Sequence, residues 1–273
     1  MSNTSNTMRK FGVEIEFKGI DEQTAVAAIN AAGIPIAYVG YNHRNSTDWK
    51  LVYDSSCGLE AVSPVLQGEE GLRQVATVCE ALTAAGAQVD RNCGYHVHLD
   101  VADFELRHFQ NLMKLWVKFE DVFDTFQPPS RRLNSNSYCM SNLTHFGMIY
   151  DGETHAESCQ RAFKAIDATD SIQDLGDLFA SRYHKLNVQA YFRHRTIEVR
   201  HHAGTLNADK AVNWVRLMME LYETAKTAKT VRVRPASAEA GIARHKWFFQ
   251  RTTPQGLRRF YTRRARALER AAA

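Results

Sequence analysis

Seven ionisable residues recur with the two-residue period of a β-strand in four separate segments. They are Glu14 and Glu16 in FGVEIEF, Glu60 in LEAVSP, His96 and His98 in CGYHVHLD, and Glu198 with Arg200 in RTIEVRHH. Alternation points Glu14 and Glu16 to one face of their strand. At a rise of about 3.3 Å per residue their Cα atoms are about 7 Å apart. At an effective dielectric near 20, two like charges at that distance repel by roughly 2.4 kcal/mol, a cost that a cation between them removes. Laid side by side, the four segments place four carboxylates, two imidazoles and a guanidinium on one sheet surface. Hard cations take oxygen ligands, so carboxylates with an imidazole suit Mg²⁺ or Mn²⁺ better than zinc, and the set reads as a multi-metal site. Each piece also has a plainer reading: solvated carboxylates on an outer strand, a satisfied histidine pair, a cross-strand ion-pair set. Repetition of the pattern is what favours a site.

The elements that must hold these residues can be read from period and punctuation. A strand is expected over 9–18, then an amphipathic helix over 21–32 that stops at Gly33, then short strands over 34–41, 49–54 and 59–64. A helix follows over 68–85, closed by Gly86, and the alternation of Tyr95, Val97 and Leu99 with His96, His98 and Asp100 predicts a further strand. Residues 103–126 carry an aromatic stripe at helical spacing, and Pro128 and Pro129 end that helix. Residues 130–155 show no dominant period and read as a functional loop. Beyond them lie a helical stretch near 156–180, strands over 186–192 (LNVQAYF) and 195–202, and a helix over 207–228. This order predicts an α+β fold with a largely antiparallel sheet.

With 273 residues, 44% of them hydrophobic and 23% charged, the chain can bury a sizeable core. No linker or repeat marks a boundary, which predicts one catalytic domain over 9–230 between a disordered tail (1–8) and a basic helical extension (231–273). The polar N-terminus and the lack of an 18-residue apolar run predict a cytoplasmic protein without membrane contact. Five cysteines without a CxxC pair argue against a disulfide framework or a zinc ribbon. The net charge of +4 is gathered late in the chain, in Lys226, Lys229, Arg232, Arg234, Arg258, Arg259, Arg263, Arg264, Arg266 and Arg270. Such a stretch suits contact with nucleic acid or another polyanion, or a solvated helix face.

FGVEIEF, DSSCGLEAVSP, CGYHVHLD, RRLNSNSYCMSNL, and RYHKLNV followed by RTIEVRHHAGTLNADKAVNWVRL resemble, in that order, the amidoligase family of the carboxylate-amine ligase group. That group includes glutamine synthetase and γ-glutamylcysteine ligase. The resemblance covers roughly residues 9–225. It implies a glutamine synthetase-like domain, a curved sheet with the active site on one face and helices on the other. It further implies an ATP-dependent ligase that forms an amide or isopeptide bond through an acyl phosphate. By the same resemblance Glu14, Glu16, Glu60, His96 and Glu198 ligate the Mg²⁺ or Mn²⁺ ions bound with ATP. His98 then faces the reacting carboxylate or phosphate, and Arg200 contacts the γ-phosphoryl group. Arg182 is assigned to catalysis and Arg195 and Asn187 to the nucleotide, while Arg131, Asn136 and Tyr138 match a family pattern in the loop. The partners implied are a small-molecule or peptide carboxylate and an amine.

Two other enzyme readings and one non-enzyme reading stay open on the residues alone. A metal-dependent hydrolase would use the same ligands to activate water, and its zinc version would need Cys93 with His96 and His98. A Cys57 or Cys93 nucleophile is the other. The arginine-rich C-terminus alone suits a nucleic-acid-binding protein.

Overall fold

FGVEIEF forms a strand, β1 (Phe11–Phe17), whose odd-numbered side chains are buried on one side while Glu14 and Glu16 face the other. The structure, a computed structural model, describes residues 8–42, 46–146, 153–233, 248–249 and 255–272. The expected tail, apart from Met8, and Arg234 lie outside them. The chain continues through α1 (Glu22–Ala31), β2 (Ile36–Tyr38), β3 (Trp49–Asp54), β4 (Gly58–Val62), α2 (Gly68–Ala84), β5 (Gly94–Asp100) and α3 (Leu106–Asp124). It then runs through α4 (His155–Asp167), α5 (Ile172–Leu178), β6 (Leu186–Asn187), α6 (Ala190–His194), β7 (Thr196–Ala203), α7 (Ala208–Thr227) and α8 (Gln255–Ala272). This is a mixed α+β architecture. It divides into two compact units, Asn6–Asp100 with Glu198–Arg216, and Val101–Ile197 with Leu217–Ala273 (together with Met1–Ser5). No helix among the described residues is long and apolar enough to cross a membrane.

In the first unit the strands run in the order β2-β3-β4-β1-β5-β7. The pairs β3/β4, β4/β1 and β1/β5 are antiparallel, and β2/β3 is parallel. One face of this sheet is apolar: Phe11, Val13, Ile15 and Phe17 align with Leu51, Leu59, Ala61, Tyr95, Val97 and Leu99, all buried. Helix α2 lies against that face. Its Gly71 meets β1 so closely that a Cβ would stand 2.8 Å from Leu66 and 3.2 Å from the Phe11 ring. Gln74, one turn on, accepts from Trp49 Nε1 of β3 at 3.1 Å. The opposite face is thereby left to the charged residues.

The second unit is held by aromatic packing and by one buried ionic network. Trp116 stacks on Phe123 within α3 at 4.7 Å, and Tyr261 of α8 packs on Phe126 at 4.6 Å. Leu257, Tyr261 and Ala265 form the buried side of α8, and Arg258, Arg259, Arg263, Arg266 and Arg270 face outward. Lys185, completely buried, binds Asp124 at 2.6 Å and Glu120 at 3.4 Å.

Two expectations fail here. LNVQAYF is not a strand: only Leu186 and Asn187 pair, and residues 190–194 form α6. The Asn187 side chain accepts from Gln189 N at 2.9 Å and turns the chain, while the Gln189 amide donates to Gly176 O and Phe179 O. The run is apolar because both structures are buried, and apolarity alone does not separate them. The helical stretch 156–180 is two helices. Gln110 draws off the carbonyls of Ile166 and Thr169, and Ser171 caps a new start by accepting from Asp174 N at 3.0 Å. The loop after α3 is irregular as expected, apart from short 3-10 turns at Pro129–Arg131 and Thr144–Phe146; residues 147–152 lie outside the described set.

Candidate functional site

Register brings the ionisable residues into rows across the polar face of the first unit. Glu14 stands opposite His96 of β5 on one side and Val62 of β4 on the other, and Val62 stands opposite Lys50 of β3. In the next row Glu16 is directly opposite Glu60, which faces Val52. Like charges directly opposite are destabilising in an antiparallel pair, so Glu16 and Glu60 form a mismatch that packing alone does not explain.

The side chains converge. His96 Nδ1 is 2.9 Å from Glu14 Oε2 and 3.6 Å from Glu198 Oε1, and His96 Nε2 is 3.7 Å from Glu16 Oε1. His98 Nε2 is 3.4 Å from Glu14 and 3.9 Å from Glu198. Arg200 donates to Glu198 Oε1 at 2.6 Å. Glu16, His96 and Glu198 are buried, and Glu14, Glu60, His98 and Arg200 partly so. Glycine at 94 is required by close approach: a Cβ there would fall 2.5 Å from His96 Nε2. The same residue's N–H donates to Glu16 Oε2 and fixes that carboxylate.

Burial and neighbours split the carboxylates into two kinds. Glu60 is pushed well above the usual carboxylate range, first by burial and then by the charges of Glu14, Glu16, Asp54 and Glu198. Glu14 moves the other way: burial raises it, but hydrogen bonds to His96 and His98 outweigh that and hold it well below the usual range. Glu198 is likewise held low against its burial, chiefly by Arg200 and His98. His98 is raised, since Glu14 and Glu198 overcome the burial that would lower it. The face therefore carries more negative charge than its own cations balance, and the excess falls on Glu60.

Two overlapping groups can hold a cation: Glu14, Glu60 and His96, and Glu14, His98 and Glu198. Within each group the ligand atoms lie within 4.8 Å of one another. Both are oxygen-rich, which suits a hard cation such as Mg²⁺ or Mn²⁺, and a cation beside Glu60 would offset the charges that push its carboxyl up. The residues fit the ions. A third group, Glu16 with Asp54 and Cys57, also lies within 4.8 Å.

Glu14, Glu16, Glu60, His96, His98, Glu198 and Arg200 are thus assembled in one unit. Arg182, Asn187 and Arg195 belong to the other. There Arg182 is exposed and lies over the Tyr183 ring, Asn187 is buried in its turn, and Arg195 ends α6 in the left-handed region at φ 58°. Arg131, Asn136 and Tyr138 belong to that same unit, with Arg131 buried and Tyr138 edge-on to Tyr183. Cys93 does not group with the two histidines as the zinc reading needs: among the described residues, the groups of ligand atoms within 4.8 Å that include His96 or His98 are completed by glutamates. Two residues escaped the sequence reading. Lys50 is buried on the charged face, donates to Asn42 O at 2.9 Å, and is lowered by burial against the opposing fields of Glu14 and Glu60. Asp54 joins the third group. The alternation of Lys50, Val52 and Asp54 in WKLVYD was the available signal.

A family model described as "Putative amidoligase enzyme" matches residues 7–222. Among curated proteins none matches the chain.

Proposed function

Because the chain belongs to the amidoligase family, whose name is that of an amide-forming ligase, we propose that it is an ATP- and Mg²⁺-dependent carboxylate-amine ligase with a glutamine synthetase-like catalytic domain. The observation that carries this reading is the mismatch at Glu60, a carboxyl placed directly opposite Glu16 and pushed well above the usual carboxylate range by burial and by the charges of Glu14, Glu16, Asp54 and Glu198. A buried structural carboxylate is given a partner by its own chain; this one is surrounded by the charges of four more carboxylates.

In this reading Glu14, Glu16, Glu60, His96 and Glu198 hold the cations. When bound, the ions offset the repulsion between two anions as a substrate carboxylate takes the γ-phosphoryl group of ATP. On this proposal Arg200, oriented by its pairing with Glu198, would add fixed positive charge to the transferring group. Attack of an amine on the resulting acyl phosphate forms the amide and expels phosphate, and a carboxylate or His98, which lies beside Glu14 and Glu198, takes the amine proton on this proposal. Lys50 tempers the negative face from its edge. The acid and the amine are small molecules or peptides.

The test is turnover with ATP, Mg²⁺ and pooled amino acids and peptides. ADP and phosphate should accumulate only when an acid and an amine are both present, and Glu60→Gln should abolish their release. If ATP fails to bind in the presence of Mg²⁺ by calorimetry, the reading fails.

A further inference from the structure

One group of ligand-bearing side chains is absorbed by the ligase reading only at Glu16. At the end of β1, Glu16 approaches the β3–β4 turn, where Asp54 and Cys57 complete a cluster whose ligand atoms lie within 4.8 Å of one another. Cys57 adds a second sulfur, because its thiol is hydrogen-bonded to Cys93, the residue before β5. Both cysteines are buried, at 6% and 0% exposure. A buried free cysteine usually behaves as a small hydrophobe. These two instead stand among carboxylates, with Asp90 Oδ1 3.6 Å from the Cys93 sulfur.

The backbone holds both sulfurs in place. Asp54 Oδ1 accepts from Ser56 N at 2.7 Å and Cys57 N at 3.1 Å, and Gly58 closes the turn at φ +111°. Cys93 O accepts from Gly204 N at 2.7 Å, and a Cβ at Gly204 would lie 2.5 Å from Cys93 Cβ. Such fixed positions are what a preorganised site needs. Tetrahedral zinc bound at about 2.0–2.3 Å spans ligand-to-ligand distances of about 3.3–3.8 Å, so Glu16, Asp54 and Cys57 would contract onto the ion from their 4.8 Å limit, with Cys93 joining from beside Cys57.

We propose that Cys57, Cys93, Asp54 and Glu16 form a second cation site, selective for borderline-soft divalent ions of the zinc class. Thiolate ligands select such ions over Mg²⁺, while the oxygen-rich groups around Glu14 and Glu60 favour the reverse. Softness therefore divides two neighbouring sites on one sheet face, linked by Glu16, which belongs to this cluster and which the ligase reading also assigns to the cations. A zinc-class ion seated here competes with the harder site for that glutamate.

The experiment titrates the full-length, metal-free, reduced protein with Co²⁺ in excess Mg²⁺ and follows absorbance. The expected result is one equivalent bound with intense near-ultraviolet thiolate-to-cobalt bands, bleached by one equivalent of Zn²⁺. Cys57→Ser should cut the band intensity by about half, and the double variant Cys57→Ser/Cys93→Ser should remove it; Asp54→Asn should weaken Zn²⁺ binding at least tenfold. A cobalt spectrum of the unaltered protein without thiolate bands overturns the proposal, and so do bands that persist in a folded double variant. The wild-type spectrum decides even if a variant does not fold. Absence of ATP turnover would leave these bands in place, and their absence would leave turnover in place, so the two readings fail separately.

Discussion

Each unit of this protein buries a cluster of acids, and the two clusters are resolved in opposite ways. In the second unit Glu120 and Asp124, one turn apart on α3, share Lys185, whose ammonium is held above its usual range by both acids despite complete burial. Their other oxygens are also used: Glu120 accepts from Asn142 N at 2.8 Å and Asp124 from Leu133 N at 2.9 Å. On the sheet face of the first unit, four glutamates share one arginine, two histidines and the edge Lys50, and Glu60 is pushed well above the usual carboxylate range. A buried acid whose own chain supplies the cation braces the loop after α3; an acid whose chain surrounds it chiefly with more acids is built for a cation from outside.

The sharpest way to break that contrast is to remove the internal cation. Lys185→Met should cost about 3–5 kcal/mol in urea unfolding, the usual effect of leaving buried charge without its partner. A loss below about 1 kcal/mol would mean the network is not what holds the loop. Supplying the external cation should do the reverse for the first unit: Mn²⁺ at about one hundred times its dissociation constant should stabilise the protein by about 2.7 kcal/mol, read as a shift in Tm. Glu14→Gln should abolish most of that shift, since Glu14 belongs to both oxygen-rich groups. A shift unchanged in that variant would place the cation elsewhere.

A smaller effect separates the carboxylates by pH. The folded protein keeps the Glu60 proton longer than the unfolded chain does, so metal-free stability falls as pH rises from the ordinary glutamate value of about 4.3 up to the raised value of Glu60. Glu60→Gln removes that loss, at about 1.4 kcal/mol for each pH unit of the shift. The variant should therefore gain on wild type as pH rises through this window. Glu14 and Glu198 are held low and act with the opposite sign, contributing stability above the ordinary value that is lost as pH falls. If Glu60→Gln and Glu14→Gln changed metal-free stability in the same direction near neutral pH, the split between the two kinds of carboxylate would be wrong.

Period carried much of this into the sequence. Strand alternation is local, so FGVEIEF, GYHVHLD and TIEVRHH reveal which side chains share a face before anything is known of their neighbours. Register is not local. That Glu16 faces Glu60, and that Lys50 lies in the Glu14 row, depends on which strands pair and at what offset, and no single segment encodes it. LNVQAYF misleads for a related reason: what stops its strand is the Asn187 turn and the reach of Gln189 to α5, a tertiary bond written thirteen residues away at Gly176. The cysteines were legible as a count but not as a pair, because Cys57 and Cys93 come together only when the β3–β4 turn meets the start of β5.

The most direct test of the central claim counts protons as the cation binds. Mn²⁺ is titrated into the metal-free protein by calorimetry at about pH 6, in buffers of different ionisation heat, which reveals protons released on binding. The site described here predicts tight binding with proton release in the wild-type protein, and weaker binding with that release reduced in Glu60→Gln. Binding without proton release, unchanged by Glu60→Gln, would contradict it.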